Sequence, residues 1–246
     1  MHNARLYWGQ KRTRRWKALI EAVDVCKTFG SGPAATRALR DVCLTIEAGE
    51  VVAIMGPSGC GKSTLLHVLA GIERPDKGEV RIDGVPLHRL PERDRSRFRL
   101  ERMGFVFQQY HLIPVLTALE NVALPLVGRG VSSAEARERA RAALELVGLG
   151  DQARRYPAEL SGGQNQRIAI ARAIVGDPIV IWADEPTGAL DSDTARQTIG
   201  LLRSINERRG TTIVMVTHDR DVAAQAGRIL RMENGRVTGE RGVAHA

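Results

Sequence analysis

Residues 56–63 read GPSGCGKS, which fits the spacing G-x-x-x-x-G-K-[ST]. Glycines at these places let backbone N–H groups wrap a polyphosphate. Lys62 then reaches the β and γ oxygens, and Ser63 offers a hydroxyl to Mg²⁺. The apolar run VVAIM precedes the octet and the helical TLLHVLAGI follows it, the context this chemistry requires. A second apolar run, IVIWADE at 179–185, ends in two carboxylates. An acidic pair after a strand is by default a solvated strand end, but beside a phosphate loop it acquires a task. Asp184 is placed to hold the hydration shell of Mg²⁺. Glu185 faces differently and is placed to orient or deprotonate a water.

Other single residues say less. His218 ends the run TTIVMVT; a histidine there serves packing or chemistry, and strand C-termini are where open α/β sheets bind ligands. Gln108, after the run GFVF, is a neutral oxygen donor that could join a Mg²⁺ or water shell or be merely exposed. Phe29, before a glycine loop, could stack on an adenine or be an ordinary core aromatic. His67 falls in the helix after the phosphate loop, where packing is the expected role. LSGGQNQR at 160–167, running into IAIARAIV, presents backbone N–H groups and a hydroxyl at a helix start, a second place built for an anion.

These groups need elements to carry them. ALIEAVDVCKTF and CLTIEA read as short strands separated by the loop GSGPAAT, and GEVRIDGVPL as two more with a glycine turn. IVIWAD and TTIVMVTH are continuous apolar runs of the kind buried parallel strands show. PERDRSRFRLERM reads as a solvated helix. In the helix over 131–149, Ser132 three residues before Glu135 predicts a capping box, and Gly148 a stop. Strands alternating with helices predict an α/β core, with the helix-rich stretch 109–165 as an insertion.

The chain has 246 residues, enough for one large domain or a core with a subdomain. The longest apolar runs, VVAIM and IVIWA, fall far short of the roughly 20 residues a membrane helix needs. No secretory signal is read, so a cytosolic chain is expected, with any membrane role coming through a partner. Cys26, Cys43 and Cys60 show neither metal spacing nor a disulfide framework. The net charge of +8 is uneven: residues 1–20 hold six bases and no acid, and the rest is nearly balanced, 30 bases against 28 acids. A nucleic-acid function therefore loses its main support. The basic extension 1–18, with Tyr7, Trp8 and Trp16, is expected to be a flexible tail or a contact for anionic lipid.

Taken in order, these motifs resemble the nucleotide-binding domain of ABC transporters over about residues 19–240, with 241–246 as a tail. The phosphate loop, the glutamine Gln108, the signature LSGGQ at 160–164, the strand ending in Asp184 and Glu185, the segment ALD at 189–191 and the histidine His218 follow the family's order. The resemblance implies a phosphate-loop NTPase (RecA-like) α/β core with an antiparallel β subdomain and an inserted α-helical subdomain at about 109–165. ATP would be held by Gly56, Pro57, Ser58, Gly59, Cys60, Gly61, Lys62, Ser63 and Thr64, by Gln108, and by Phe29 at the adenine-stacking position, where tyrosine is commoner. Mg²⁺ would be held by Ser63, Gln108 and Asp184, partly through water. Lys62, Glu185 and His218 would be catalytic.

The resemblance further implies a head-to-tail dimer, with a second copy or a paralogous ATPase. Ser161, Gly162, Gly163 and Gln164 of one subunit would complete the partner's ATP site, and Asp191 would couple the two sites. Work would be done through a separate transmembrane permease, with LIPVLTALENVALPLV as a candidate contact, placing the chain peripherally on the cytoplasmic face of the inner membrane. GFVFQQYHLIPVLTALENVALPL and ADEPTGALDSDT resemble the macrolide-export and lipoprotein-release group; importers more often carry serine where Gly188 stands. The alternatives are an importer ATPase, or a soluble member acting on ribosomes or DNA. Asn165, where glutamine is commoner, is the departure whose contacts this reading leaves open.

Overall fold

The structure, a computed structural model, describes residues 18–242. In chain order the first elements are β1 (Ala18–Phe29), β2 (Thr36–Glu47), β3 (Val51–Met55), α1 (Lys62–Leu69), β4 (Lys77–Ile82), β5 (Val85–Pro86), α2 (Glu92–Arg102) and β6 (Met103–Phe107). Then come α3 (Ala118–Gly128), α4 (Ser133–Leu146), α5 (Gly162–Ile174), β7 (Val180–Asp184), α6 (Ser192–Arg209), β8 (Thr212–Thr217), α7 (Arg220–Ala223), β9 (Arg228–Glu233) and β10 (Arg236–Gly242).

Five strands of one sheet run parallel in the order β9-β3-β8-β7-β6, and β10 adds antiparallel to β9. Their apolar runs are continuous because both faces are covered. Alternate residues divide between two cores. Ala53, Ile181, Ala183, Ile213 and Met215 face the core shared with α3, α4, α5 and α6. Val52, Ile54, Val180, Trp182, Val214 and Val216 face α1 and the second sheet. That second sheet is antiparallel, in the order β2-β1-β4-β5. Helix α1 lies between the two sheets, so Leu65, Leu66, Val68 and Leu69 are all buried, each worth about 1.5–3 kcal/mol of transfer free energy. The fold is thus an α/β phosphate-loop NTPase core with an antiparallel sheet beside it, and α3 and α4 pack on α5 between β6 and β7.

Several local expectations change. Strand β1 is the run ALIEAVDVCKTF itself, but β2 is longer than the run CLTIEA read for it, beginning at Thr36 and ending at Glu47. Asp24 and Asp41, at φ +50° and +49°, break the period with bulges. The capping box of α4 is half made: Ser132 Oγ accepts from Glu135 N at 3.3 Å, but the Glu135 carboxylate turns toward Arg139 at 3.8 Å instead of back to Ser132 N. Complete boxes form at Thr117/Glu120 and Ser161/Gln164, both legible as [ST]-x-x-[EQ]. The charged helix α2 is not wholly solvated, since Arg95 is 3% exposed and Arg99 donates to the Gly71 carbonyl. Strand β1 starts at Ala18 and β10 reaches Gly242, one and two residues beyond the span read as the domain. Apart from Ala18, the basic extension lies outside the described residues.

Candidate nucleotide site

The sheet brings the sequence motifs to one edge. Strands β3, β6, β7 and β8 are parallel, so the residues that follow them share the C-terminal end, where open α/β sheets bind ligands. After β3 the chain turns through Gly56–Gly61 and enters α1 at Lys62. Gly61, the N-cap, has φ +102°, and a Cβ there would lie 2.3 Å from the Ala38 carbonyl oxygen, so both conformation and space demand glycine. Lys62 Nζ donates to the Gly56 and Pro57 carbonyls, both at 2.9 Å, bending back over its own loop.

One helical position on, Ser63 Oγ donates to Asp184 Oδ1 at 3.0 Å. This joins the start of α1 to the end of β7. His67, one turn further along α1, brings Nε2 to 3.8 Å from Asp184 Oδ2; its expected packing role gives way to a place beside that carboxylate. Glu185 follows at φ +47°, left-handed for a non-glycine residue, and its N–H donates to the Val216 carbonyl of β8. His218 Nδ1 donates to Glu185 Oε1 at 2.9 Å, with the imidazole 70% and the carboxylate 18% exposed. The imidazole is therefore open to a ligand while the carboxylate is sheltered.

Gln108, one residue beyond β6, lies flat against Gly188. A Cβ at Gly188 would stand 2.8 Å from Gln108 Nε2 and 3.1 Å from its Cδ. Phe29, at the end of β1, is 42% exposed and is no core aromatic; the Lys27 ammonium sits 5.1 Å from its ring centroid.

The signature turn is built otherwise. Ser161 Oγ accepts from Gln164 N at 3.3 Å, and Ser161 N donates to Gln164 Oε1 at 2.9 Å, closing the cap of α5. Ser161 and Gly162 are exposed. Added Cβ atoms at Gly162 and Gly163 would meet the Tyr110 hydroxyl at 2.8 Å and Thr194 Cγ2 at 2.5 Å. No hydrogen bond joins this turn to the phosphate loop among the described residues. Asn165 turns away from it: its Nδ2 donates to Pro157 O (3.0 Å) and Leu160 O (3.4 Å), tying down the chain that leads into the helix. Asp191 caps α6, with Oδ1 accepting from Asp193 N and Thr194 N and Oδ2 from Thr194 Oγ1 at 2.7 Å. Those bonds, the Thr194 hydroxyl foremost, hold its carboxyl below the usual range.

Two residues of α5 that sequence reasoning passed over grip neighbouring loops. Arg172 donates to the Tyr110 carbonyl at 2.6 Å and to the His111 carbonyl, and burial lowers its pKa. Gln166, fully buried, donates to the Pro186 carbonyl. Arg172, a base inside the apolar run IAIARAIV, carried a signal in the sequence; Gln166, in the polar stretch GGQNQR before that run, carried none.

Fold and site together define a phosphate-loop nucleotide-binding ATPase domain. A family profile described as ABC transporter matches residues 39–188. An uncharacterised ABC transporter ATP-binding protein of Methanocaldococcus jannaschii is 49% identical over 219 residues, 89% of this chain and 97% of that protein. The lipoprotein-releasing system ATP-binding protein LolD of Bordetella pertussis is 48% identical over 218 residues, 89% of this chain and 94% of that one. Among solved structures, the ATP-binding cassette MJ0796, a dimer in a post-hydrolysis state bound to ADP and Pi, superposes with a TM-score of 0.85 at 43% identity, covering 92% of this chain and all of that one. The chain belongs to the ABC transporter family, as an ATP-binding, ATP-hydrolysing subunit.

Proposed function

We propose that this subunit binds MgATP at the phosphate loop, closes head to tail on a second cassette and hydrolyses ATP to drive a separate membrane permease of the export or lipoprotein-release type. The observation that carries the reading is the pair of contacts beside Lys62: Ser63 to Asp184 at 3.0 Å and His218 to Glu185 at 2.9 Å. They put a metal-binding oxygen pair and an acid–histidine pair on adjacent strand ends.

The Lys62 ammonium and the backbone N–H groups of Ser58–Thr64 hold the phosphates, the ammonium exchanging the Gly56 and Pro57 carbonyls for phosphate oxygens. Ser63 and Asp184 fit Mg²⁺, since both are hard oxygen donors already in contact. Bound there with Gln108 nearby, Mg²⁺ would neutralise charge on the β and γ oxygens. Glu185 takes the proton of the attacking water, and the exposed edge of His218 contacts the γ-phosphate while Nδ1 orients that carboxylate. Phe29 offers an exposed face to the adenine.

Ser161, Gly162, Gly163 and Gln164 serve the partner's nucleotide. The support is the exposure of Ser161 and Gly162, the missing link from this turn to its own phosphate loop among the described residues, and the dimeric relative MJ0796. Asp191 sits beside them at the start of α6 and couples the two sites. The permease contact lies on the loop before α3, where Val115 is 79% and Ile113 40% exposed. Identity to LolD supports the lipoprotein-release type. No helix among the described residues is long and apolar enough to cross a membrane, which fits a peripheral place on the cytoplasmic face beside the permease.

Glu185→Gln tests the reading. Steady hydrolysis should fall by about two orders of magnitude or more while ATP binding persists and dimers accumulate. Phosphate release and light scattering measure both, and near-normal turnover would refute the assignment.

A further inference from the structure

Gln166 is fully buried on α5, and nothing above gives it a part in hydrolysis. Its Nε2 donates to the Pro186 carbonyl, while its Oε1 has no partner among the described residues. A buried amide with one unpaired end is a worse filler than an apolar side chain of the same shape. Packing alone therefore does not account for it.

Its acceptor adjoins the strained residue of the site. Glu185, at φ +47°, occupies a conformation that non-glycine residues keep only when their surroundings enforce it. Glu185 N donates to Val216 O and Gly188 N to Glu185 O, both at 3.0 Å, and these are backbone bonds that many sequences could supply. Pro186 has no N–H, so its carbonyl is the handle this part of the turn offers, and Gln166 is the side chain that takes it. We propose that Gln166 is a positioning residue for hydrolysis. It holds the turn Glu185–Gly188 so that the Glu185 carboxylate stays where it can meet the attacking water. The inference rests on the reading of Glu185 as the group that receives the water's proton. It makes the base of each cassette depend on the same helix that offers Ser161 and Gly162 to a partner.

Gln166→Met keeps the length and volume of the side chain and removes the donor. The measurement is single-turnover hydrolysis per bound ATP, so an unfolded fraction drops out. The rate should fall about tenfold with ATP affinity within about twofold. In a Glu185→Gln background the same substitution should change the residual rate by less than about twofold, because a residue acting through Glu185 has nothing left to position. Equal losses in both backgrounds, or an unchanged rate in the single variant, overturn the proposal. If methionine does not fit, Gln166→Leu carries the same cycle. Failure of the underlying reading looks different: Glu185→Gln alone would then hydrolyse at a near-normal rate.

Discussion

Gly188 shows how one missing methyl group shapes the site. Gln108 rests where a Cβ would stand, with three of its side-chain atoms between 2.8 and 3.3 Å from that point. The obstacle is the far end of a flexible side chain and not backbone, so a larger residue displaces Gln108 without breaking the fold. Gly188→Ser should therefore leave thermal stability within about 1 kcal/mol, as for substitutions that open no cavity and strand no buried charge. ATP affinity should hold, while the Mg²⁺ concentration for half-maximal hydrolysis rises severalfold. A magnesium titration of phosphate release decides; an unchanged midpoint would mean that Gln108 does not serve the metal. Asn165 is the opposite case. Its amide serves the chain before α5, so the departure from glutamine touches local folding and not the exposed residues Ser161 and Gly162.

Helix α5 acts as a strut among three loops. Its N-cap turn is wedged between Tyr110 and Thr194, Gln166 grips the turn after β7, and Arg172 grips the loop after β6. Tyr110 and His111 are consecutive left-handed residues at φ +58° and +47°, and their carbonyls are the two that Arg172 takes. A guanidinium can serve two acceptors in a fixed fork, whereas an ammonium on a flexible stem holds that geometry poorly. Arg172→Lys should cost about 1–2 kcal/mol of stability, the order of one or two lost hydrogen bonds. Amide exchange over residues 109–116 should quicken while the strands keep their protection, because local openings follow local bonding. Uniform exchange across the chain would show that the clamp is dispensable.

At the scale of the whole molecule, the proposed function gives a reason for two segments suited to an anion in one chain. The phosphate loop and the turn Ser161–Gly163 sit on different elements, and the second is exposed at Ser161 and Gly162 with its capping bonds already satisfied. On the proposed reading a partner's nucleotide is the occupant that uses both, which would make ATP binding and dimer closure one event. Gly162→Asp sets a carboxylate against those phosphates, and its Cβ meets the Tyr110 hydroxyl at 2.8 Å. The isolated chain should bind ATP within about twofold of normal, yet the dimer trapped by Glu185→Gln should be lost, since like charges in a closed interface cost several kcal/mol. Scattering of the double variant measures this, and persistent dimers would remove the signature turn from the interface.

Much of this was legible in the residues. The phosphate loop, the two carboxylates after an apolar run, His218 and Gln108 are local patterns, and each sits at a strand end that continuous hydrophobicity already marks. The α/β alternation followed from the same runs, because a strand covered on both faces has no polar positions to spare. What the string could not give is whatever depends on distance across the chain. The early start of β2 was masked by the bulge at Asp41, which breaks the period of two. The Glu135 carboxylate could have returned to Ser132 or gone to Arg139, and only the packed helix settles which. His67 beside Asp184, Gln108 on Gly188, Gln166 on Pro186 and Arg172 on two carbonyls join residues 20 to 117 positions apart. Local spacing fixes which groups a segment carries, but which of them meet is set by how sheet and helices pack.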